Sequence, residues 1–245
     1  MIDLNCDVGE GFNDEHVFPY ITSANIACGA HAGSPELMLR TIKQAKKHGV
    51  AVGAHPGFLD KEGFGRREVE IEEEQLVAIL MYQLGAMRTL CEAEGIEMKH
   101  VKPHGALYNM AVRREDYARA IVHAVKNVAP RATLIGLSTS SMLTHARKEG
   151  LKTANEFFAD RMLEADGTLT PRSETKAVIQ DEHVAVARTI QAIQDGYVQA
   201  RTGESVSVQV NTICLHGDSP RVQTFAASLR EALKAANIPV GAANL

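Results

Sequence analysis

Seven short runs rich in β-forming residues alternate with helical stretches, and this alternation limits the fold more than any other feature of the sequence. The runs are Ile2–Cys6, Ser23–Ala27, Val50–Ala54, Met98–Lys102, Thr133–Leu137, Lys152–Glu156 and Ser207–Leu215. Helical patterns follow most of them, at Pro35–His48, Glu72–Glu94, Arg114–Val128, Ser140–Glu149, Glu182–Ala200 and Pro220–Ala236. Ser34-Pro35 and Ser219-Pro220 have the form of an N-cap followed by a proline start, while Gly49, Gly95 and Gly150 stand where helices stop. Strands joined through crossover helices pair in parallel. Seven such units nearly complete a ring, so an α/β fold is expected: a distorted seven-stranded (β/α) barrel, one unit short of the common eight-fold form, in preference to an open sheet. No linker or low-complexity segment interrupts residues 1–245, which read as a single barrel domain.

The composition narrows the class. With 245 residues, 45% of them hydrophobic, the chain can bury a sizeable core. Its net charge of -4, without any basic block, argues against a binder of nucleic acid. No apolar run stands out at the roughly 18 residues a membrane span needs, so none is expected. Met1-Ile2-Asp3-Leu4-Asn5 carries an acid at once and does not resemble a signal peptide. Cys6, Cys28, Cys91 and Cys214 are widely spread and read as reduced thiols of a cytoplasmic protein. Cys6 and Cys214, inside strand-like runs, read as core; Cys28, beside a polar cluster, is the one placed to line a site.

Strand parity aims polar groups into the ring. Asp3, Asn5 and Asp7 share the face opposite Ile2, Leu4 and Cys6. Ala51, Gly53 and His55 oppose Val50, Val52 and Ala54, and His100, Lys102 and His104 oppose Lys99, Val101 and Pro103. Barrel interiors are normally filled by Val, Ile and Leu. Unpaired polar groups there cost about 1–3 kcal/mol each, so this lumen is either hydrated and functional or a satisfied buried network.

In α/β folds ligands bind where strands end. The run Val101-Lys102-Pro103-His104-Gly105-Ala106-Leu107-Tyr108-Asn109 packs four chemically capable side chains around a proline and a glycine, and opens a helix. Other strand ends supply Asp7-Val8-Gly9-Glu10-Gly11, Asn25 with Cys28 and His31, His55-Pro56-Gly57, Glu156 with Asp160-Arg161, and His216-Gly217-Asp218. Of the ten histidines, His31, His55, His104 and His216 are site candidates and His100 a weaker one; His16, His48, His123, His145 and His183 read as surface.

Asp7 with His31 and His55 would make a carboxylate–dihistidine set for a divalent metal, able to lower the pKa of bound water toward about 7. The metal-free alternative uses the same groups as acids and bases, with a carboxylate orienting an imidazole. Arg66 and Arg67, on the glycine-hinged loop Gly63-Phe64-Gly65-Arg66-Arg67, suit capture of a carboxylate or phosphate, or form a solvated basic turn; Arg161 is the better anion clamp. The phosphate loop GxxxxGK[ST], the dinucleotide motif GxGxxG and the nucleophile elbow GxSxG are all absent from the sequence.

Read together, Asp3-Leu4-Asn5-Cys6-Asp7-Val8-Gly9-Glu10, Ser23-Ala24-Asn25-Ile26-Ala27-Cys28-Gly29, Gly53-Ala54-His55-Pro56-Gly57-Phe58, Gly63–Arg67, Val101–Asn109, Glu156-Phe157-Phe158-Ala159-Asp160-Arg161 and Cys214-Leu215-His216-Gly217-Asp218 resemble the LamB/YcsF family, described as the A component of the bacterial ATP-dependent 5-oxoprolinase. The resemblance implies a seven-stranded barrel of the glycoside hydrolase/deacetylase kind. It implies cleavage of 5-oxo-L-proline to L-glutamate, with ATP as co-substrate hydrolysed to ADP and phosphate, in complex with 5-oxoprolinase subunits B and C. The sequence departs from the family pattern at Ala30, Ser34, Leu59 and Leu163, where Phe, Asp, Pro and Tyr are common.

With that reaction in view, Asp7, His55, Lys102 and His104 are the expected catalytic groups. Asp7 or His55 would activate water, while Lys102 and His104 would stabilise charge or protonate the ring nitrogen. Asn25, Arg66, Tyr108, Glu156, Arg161, His216 and Asp218 are the expected substrate-binding groups. Alanine at His55 or Lys102 is expected to abolish turnover with the chain still folded. Two other classes fit the same residues: a stand-alone metal-dependent deacetylase or amidohydrolase, and a non-catalytic ligand-binding subunit.

Overall fold

In chain order the elements are β1 (Asp3–Val8), β2 (Ser23–Ala27), α1 (Pro35–His48), β3 (Ala51–His55), α2 (Glu73–Ala93), β4 (Met98–Val101), α3 (Gly105–Arg113), α4 (Glu115–Val128), β5 (Thr133–Leu137), α5 (Ser141–Lys148), β6 (Thr153–Phe158), α6 (Glu182–Asp195), β7 (Tyr197–Gln199), β8 (Ser205–Ser207), β9 (Thr212–Leu215) and α7 (Val222–Ala235). The structure, a computed structural model, describes residues 1–138, 140–215 and 222–242. His216, Asp218 and the helix start expected at Ser219-Pro220 lie outside the described residues.

Seven strands close into a barrel in the order β1-β2-β3-β4-β5-β6-β9, every neighbouring pair parallel. Their outward faces carry Leu4, Ile26, Val52, Val101, Leu134 and Ile213, which share one apolar cluster with Ile42, Leu80, Leu84, Ile121, Leu143 and Leu229 of the surrounding helices. Burying each such side chain contributes roughly 1.5–3 kcal/mol, so the helices are held by the backs of the strands.

Two expected elements are corrected. The run Ser207–Leu215 is not one strand: only Thr212–Leu215 joins the barrel, while Ser205–Ser207 pairs antiparallel with Tyr197–Gln199. Accordingly the helix expected to reach Ala200 stops at Asp195, where Gly196 takes a left-handed φ of 72°. The β7–β8 hairpin covers its own small core of Phe157, Leu163, Ala192, Val198, Ala200, Val206 and Val208. The helical opening expected after His104 becomes α3, ended by extended Arg114 (φ -115°, ψ 118°) before α4 begins.

Helix α2 revises another expectation. Its 21 residues are long and apolar enough, by length and composition alone, to cross a membrane. Here it lies along the barrel, burying Leu76, Leu80, Gln83, Leu84, Met87 and Cys91, as a core helix does.

Helix α1 shows how local signals act. Ser34 accepts a hydrogen bond from the Leu37 amide at 3.2 Å, and Gly49 (φ 66°) donates to the Ala45 and Lys46 carbonyls. Ser34→Ala should lower unfolding free energy by about 1 kcal/mol in urea titrations. Unchanged stability would mean that water satisfies the Leu37 amide equally well.

Candidate active site

The barrel interior is built from the inward-facing residues of alternating parity. His100 Nε2 meets Asn25 Oδ1 at 2.8 Å, and Asn25 Nδ2 donates to Asn5 Oδ1 at 2.7 Å. Asn5 Nδ2 donates to Thr212 Oγ1 at 2.7 Å, and Thr212 in turn donates to Asp3, which also accepts from Thr22 and Ser23. This is a run of hydrogen bonds pointing one way across the lumen. Burial, reinforced by the Lys102 charge, lowers the His100 pKa to about 3, so its ring is neutral. The lower lumen is therefore a hydrogen-bonded network, in which His100 Nδ1 and Thr133 Oγ1 are buried without a partner among the described residues.

At the upper end of the lumen Lys102, 2% exposed, is the central cation. Its ammonium lies 2.9 Å from Asp7 Oδ1, 2.9 Å from Glu156 Oε1, 3.1 Å from Asn5 Oδ1 and 3.1 Å from Cys214 Sγ. Burial opposes the charge, but Asp7, Cys214 and Glu156 outweigh it and hold the Lys102 pKa well above the usual value. For Asp7, burial would raise the carboxyl; His55 and Lys102 more than compensate and hold it well below the carboxylate range. Cys214 is buried, as expected, in a small cluster with Tyr108, Leu137 and Phe158, and its thiol also meets Lys102. Cys28, the cysteine beside a polar cluster, is buried with its thiol on the Ile26 carbonyl at 3.4 Å.

Above Lys102 stand three imidazoles. His31 Nε2 is 3.1 Å from Glu10 Oε1, His104 Nδ1 is 3.4 Å from that oxygen, and His55 Nε2 is 3.9 Å from it. The His31 and His104 rings stack at 3.7 Å with parallel planes. Burial, then the His55 charge, pushes His31 down to about 3 and His104 down to about 2. Burial also lowers His55, but the Asp7 carboxylate at 3.4 Å outweighs it and raises the pKa. Glu10, His31, His55 and His104 form a group that could hold a metal ion. Asp7, expected as a ligand with His31 and His55, is not in that group; its Oδ1 accepts from Lys102 and from Asn25 Nδ2 at 2.8 Å, and its Oδ2 lies 3.4 Å from His55 Nε2. Glu10 escapes sequence reasoning, since its only local signal is a place two residues beyond β1 in a glycine-flanked loop.

The surrounding loops fix these rings. Phe64 takes a left-handed φ of 53°, which lets its carbonyl reach His104 Nε2 at 2.8 Å. A Cβ on Gly65 would lie 2.7 Å from the Cβ of His31, and one on Gly57 would lie 2.8 Å from its Nδ1. Gly57 is clamped at both backbone groups by Gln83 of α2, at 3.0 and 2.9 Å. Gln83 is a second residue that the sequence hides; a glutamine on an amphipathic helix carries no sign that it is wholly buried.

The expected anion and substrate groups divide. Arg67 forks onto Asp60, with Nε at 3.0 and 3.1 Å from the two carboxylate oxygens, and so braces its own loop. Arg66 is exposed, its guanidinium 4.9 Å from the Phe64 ring centroid. Arg161 is buried, donates to the Thr170 carbonyl at 2.6 Å, and stays cationic although burial lowers its pKa to about 10. The Tyr108 hydroxyl, Glu156 Oε2, Arg161 Nε and Thr170 Oγ1 are buried and have no hydrogen-bond partner among the described residues. Asn25 belongs to the lumen network, two bonds below the histidines.

Comparisons with known proteins agree with this geometry. Residues 2–244 match the model of the LamB/YcsF family. A curated relative from Brevibacillus brevis, named as the A component of 5-oxoprolinase, is 47% identical over 98% of this chain and 97% of its own. The crystal structure of a lactam utilization protein from Thermus thermophilus superposes with a TM-score of 0.91 at 42% identity, covering 100% of this chain and 99% of that one. A T48 deacetylase, 13% identical with a TM-score of 0.50 over 98% of this chain and 86% of that one, shares the fold alone. With the family model matching nearly the whole chain and relatives 47% identical over nearly their full length, the chain belongs to the LamB/YcsF family.

Proposed function

We infer that the chain is the A component of an ATP-dependent 5-oxoprolinase, cleaving 5-oxo-L-proline to L-glutamate with partner subunits B and C. The observation that carries this reading is the buried Asp7–Lys102–Glu156 cluster beside three histidines, in a chain 47% identical over nearly its whole length to a protein of that name. The four cysteines are free and buried, which supports a reducing compartment, the cytoplasm.

The chemistry needs ATP because the lactam is an unstrained, resonance-stabilised amide. Transfer of the terminal phosphoryl group of ATP to the lactam oxygen releases ADP and leaves an imidate-like electrophile. Water adds to its carbon, the ring C–N bond breaks with proton transfer to nitrogen, and a second water releases phosphate from the acyl phosphate. Asp7 Oδ2, the oxygen not engaged by Lys102, accepts the proton of the first water and passes it to the ring nitrogen. A carboxylate held this low is a weak base, so the water must be made more acidic by another group. Lys102, kept protonated, stabilises the negative charge on the adduct. His104 does not protonate the ring nitrogen, since its Nε2–H is committed to the Phe64 carbonyl. Arg161, with Arg66 at the mouth, holds the substrate carboxylate, and Tyr108 and Glu156 meet the ring.

Reconstitution of this chain with subunits B and C tests the reading. Glutamate should form from 5-oxoproline only with all three chains and ATP. Deacetylation or lactam opening by this chain alone without ATP would favour a stand-alone amidohydrolase, and full turnover without the chain would make it non-catalytic.

A further inference from the structure

We propose that Glu10, His31, His55 and His104 bind one divalent transition-metal ion, of the zinc class, at the upper end of the barrel. The first argument concerns where the imidazole protons are. His55 Nδ1 lies 2.7 Å from the Lys102 carbonyl and His104 Nε2 lies 2.8 Å from the Phe64 carbonyl. A carbonyl only accepts, so both of these nitrogens carry hydrogen and donate it. That leaves lone pairs on His55 Nε2 and His104 Nδ1, and these two nitrogens face each other at 3.0 Å. Two neutral rings cannot hydrogen-bond through these lone pairs; the pair takes either a shared proton, which the Asp7 carboxylate 3.4 Å from His55 Nε2 would favour, or a metal ion. Donation of the outer N–H to a backbone carbonyl is how metal-bound histidines are usually oriented.

The spacing agrees. Metal–ligand bonds of about 2.0–2.1 Å in a tetrahedron place the ligand atoms about 3.3–3.4 Å apart. Here the separations are 3.0 Å for His55–His104, 3.1 Å for His31–Glu10, 3.4 Å for His104–Glu10 and 3.9 Å for His55–Glu10. Charge agrees as well: Asp7, Glu10 and Glu156 bring three carboxylates against two buried cations, Lys102 and Arg161, with Arg66 exposed at the mouth. Three nitrogens and one oxygen suit zinc, cobalt or nickel, whereas magnesium and calcium take all-oxygen shells. When bound, such an ion supplies the water acidity that the weakly basic Asp7 lacks.

The site stands apart from the substrate reading and is tested without turnover. The full chain is stripped with a chelator, reloaded with Co2+, and titrated against a chromophoric chelator. One ion per chain and the visible d–d bands of tetrahedral cobalt are expected. Glu10→Gln and His104→Gln should each weaken binding by roughly 100-fold or more, beyond what loss of an outer partner costs. His145→Ala, at the surface, should leave affinity unchanged. Thermal melts in chelator, matched to the parent chain, separate loss of ligand from loss of fold. Should Co2+ bind no more tightly than to the Glu10→Gln and His104→Gln variants, the pair shares a proton and the proposal is wrong. Weakening by Asp7→Asn but not by Glu10→Gln would equally overturn the ligand assignment. Metal binding without glutamate formation in the reconstituted complex would leave this site standing and remove the 5-oxoprolinase reading instead.

Discussion

Lys102→Met should lower unfolding free energy by about 3–5 kcal/mol at neutral pH and abolish glutamate formation by the reconstituted complex. The substitution keeps much of the side-chain volume and removes only the charge. Asp7 and Glu156, each 2.9 Å from the ammonium, then remain as buried carboxylates without their cation. The pH dependence follows from the same contacts. In the parent chain Asp7 titrates below its unfolded value of 3.8, so its stabilisation is complete above that pH and lost as pH falls through the folded value. Without Lys102, His55 alone opposes burial at Asp7, and the carboxyl titrates higher than in the parent. The gap between variant and parent should then narrow as pH is lowered and the acids protonate. Adding Glu156→Gln should recover part of the loss, a coupling that a double-mutant cycle in urea reads directly. A Lys102→Met chain as stable as the parent at neutral pH would show that the cluster is not held by its cation.

Gly53→Ala should be nearly as damaging, by about 3 kcal/mol or more, from overpacking together with a broken buried hydrogen bond. Gly53 faces inward on β3, and a Cβ there would lie 2.1 Å from His100 Cδ2 and 2.2 Å from its Nε2. The ring cannot retreat without giving up Asn25, its partner at 2.8 Å. For a chain of this size the melting temperature should fall by roughly 6–12 °C. Gly85→Ala in α2 is the control: nothing lies within 4 Å of its added carbon, and helix propensity predicts a gain of up to about 1 kcal/mol. Equal melting temperatures for the Gly53→Ala and parent chains would refute this account.

The ring of strands is legible because its evidence is local. Asp3, Asn5 and Asp7 alternate with Leu4 and Cys6, and period-two patterning tells inside from outside without knowledge of any partner strand. The stretch 205–215 misleads for the complementary reason. Its residues all favour extended backbone, and nothing local says that Ser205–Ser207 pairs with Tyr197–Gln199 while Thr212–Leu215 pairs with β1 and β6. At the site, His31, His55, Lys102 and His104 announce themselves by residue type at strand ends. Glu10 does not, because a carboxylate in a glycine-flanked loop looks solvated until three imidazoles from other elements close around it. Parity gives the direction of Asp7 but not its neighbours: Lys102, 95 residues away, takes one of its oxygens, and the other faces His55.

The one-way run from His100 through Asn25, Asn5 and Thr212 to Asp3 also bears on assembly. Greasy barrel interiors tolerate a strand that slides by two residues, since one aliphatic group replaces another. Here such a slide would set amide against amide, or acid against nothing, at several places together. The ring therefore carries its own alignment key: only one mutual setting of β1, β2, β4 and β9 lets each donor find its acceptor.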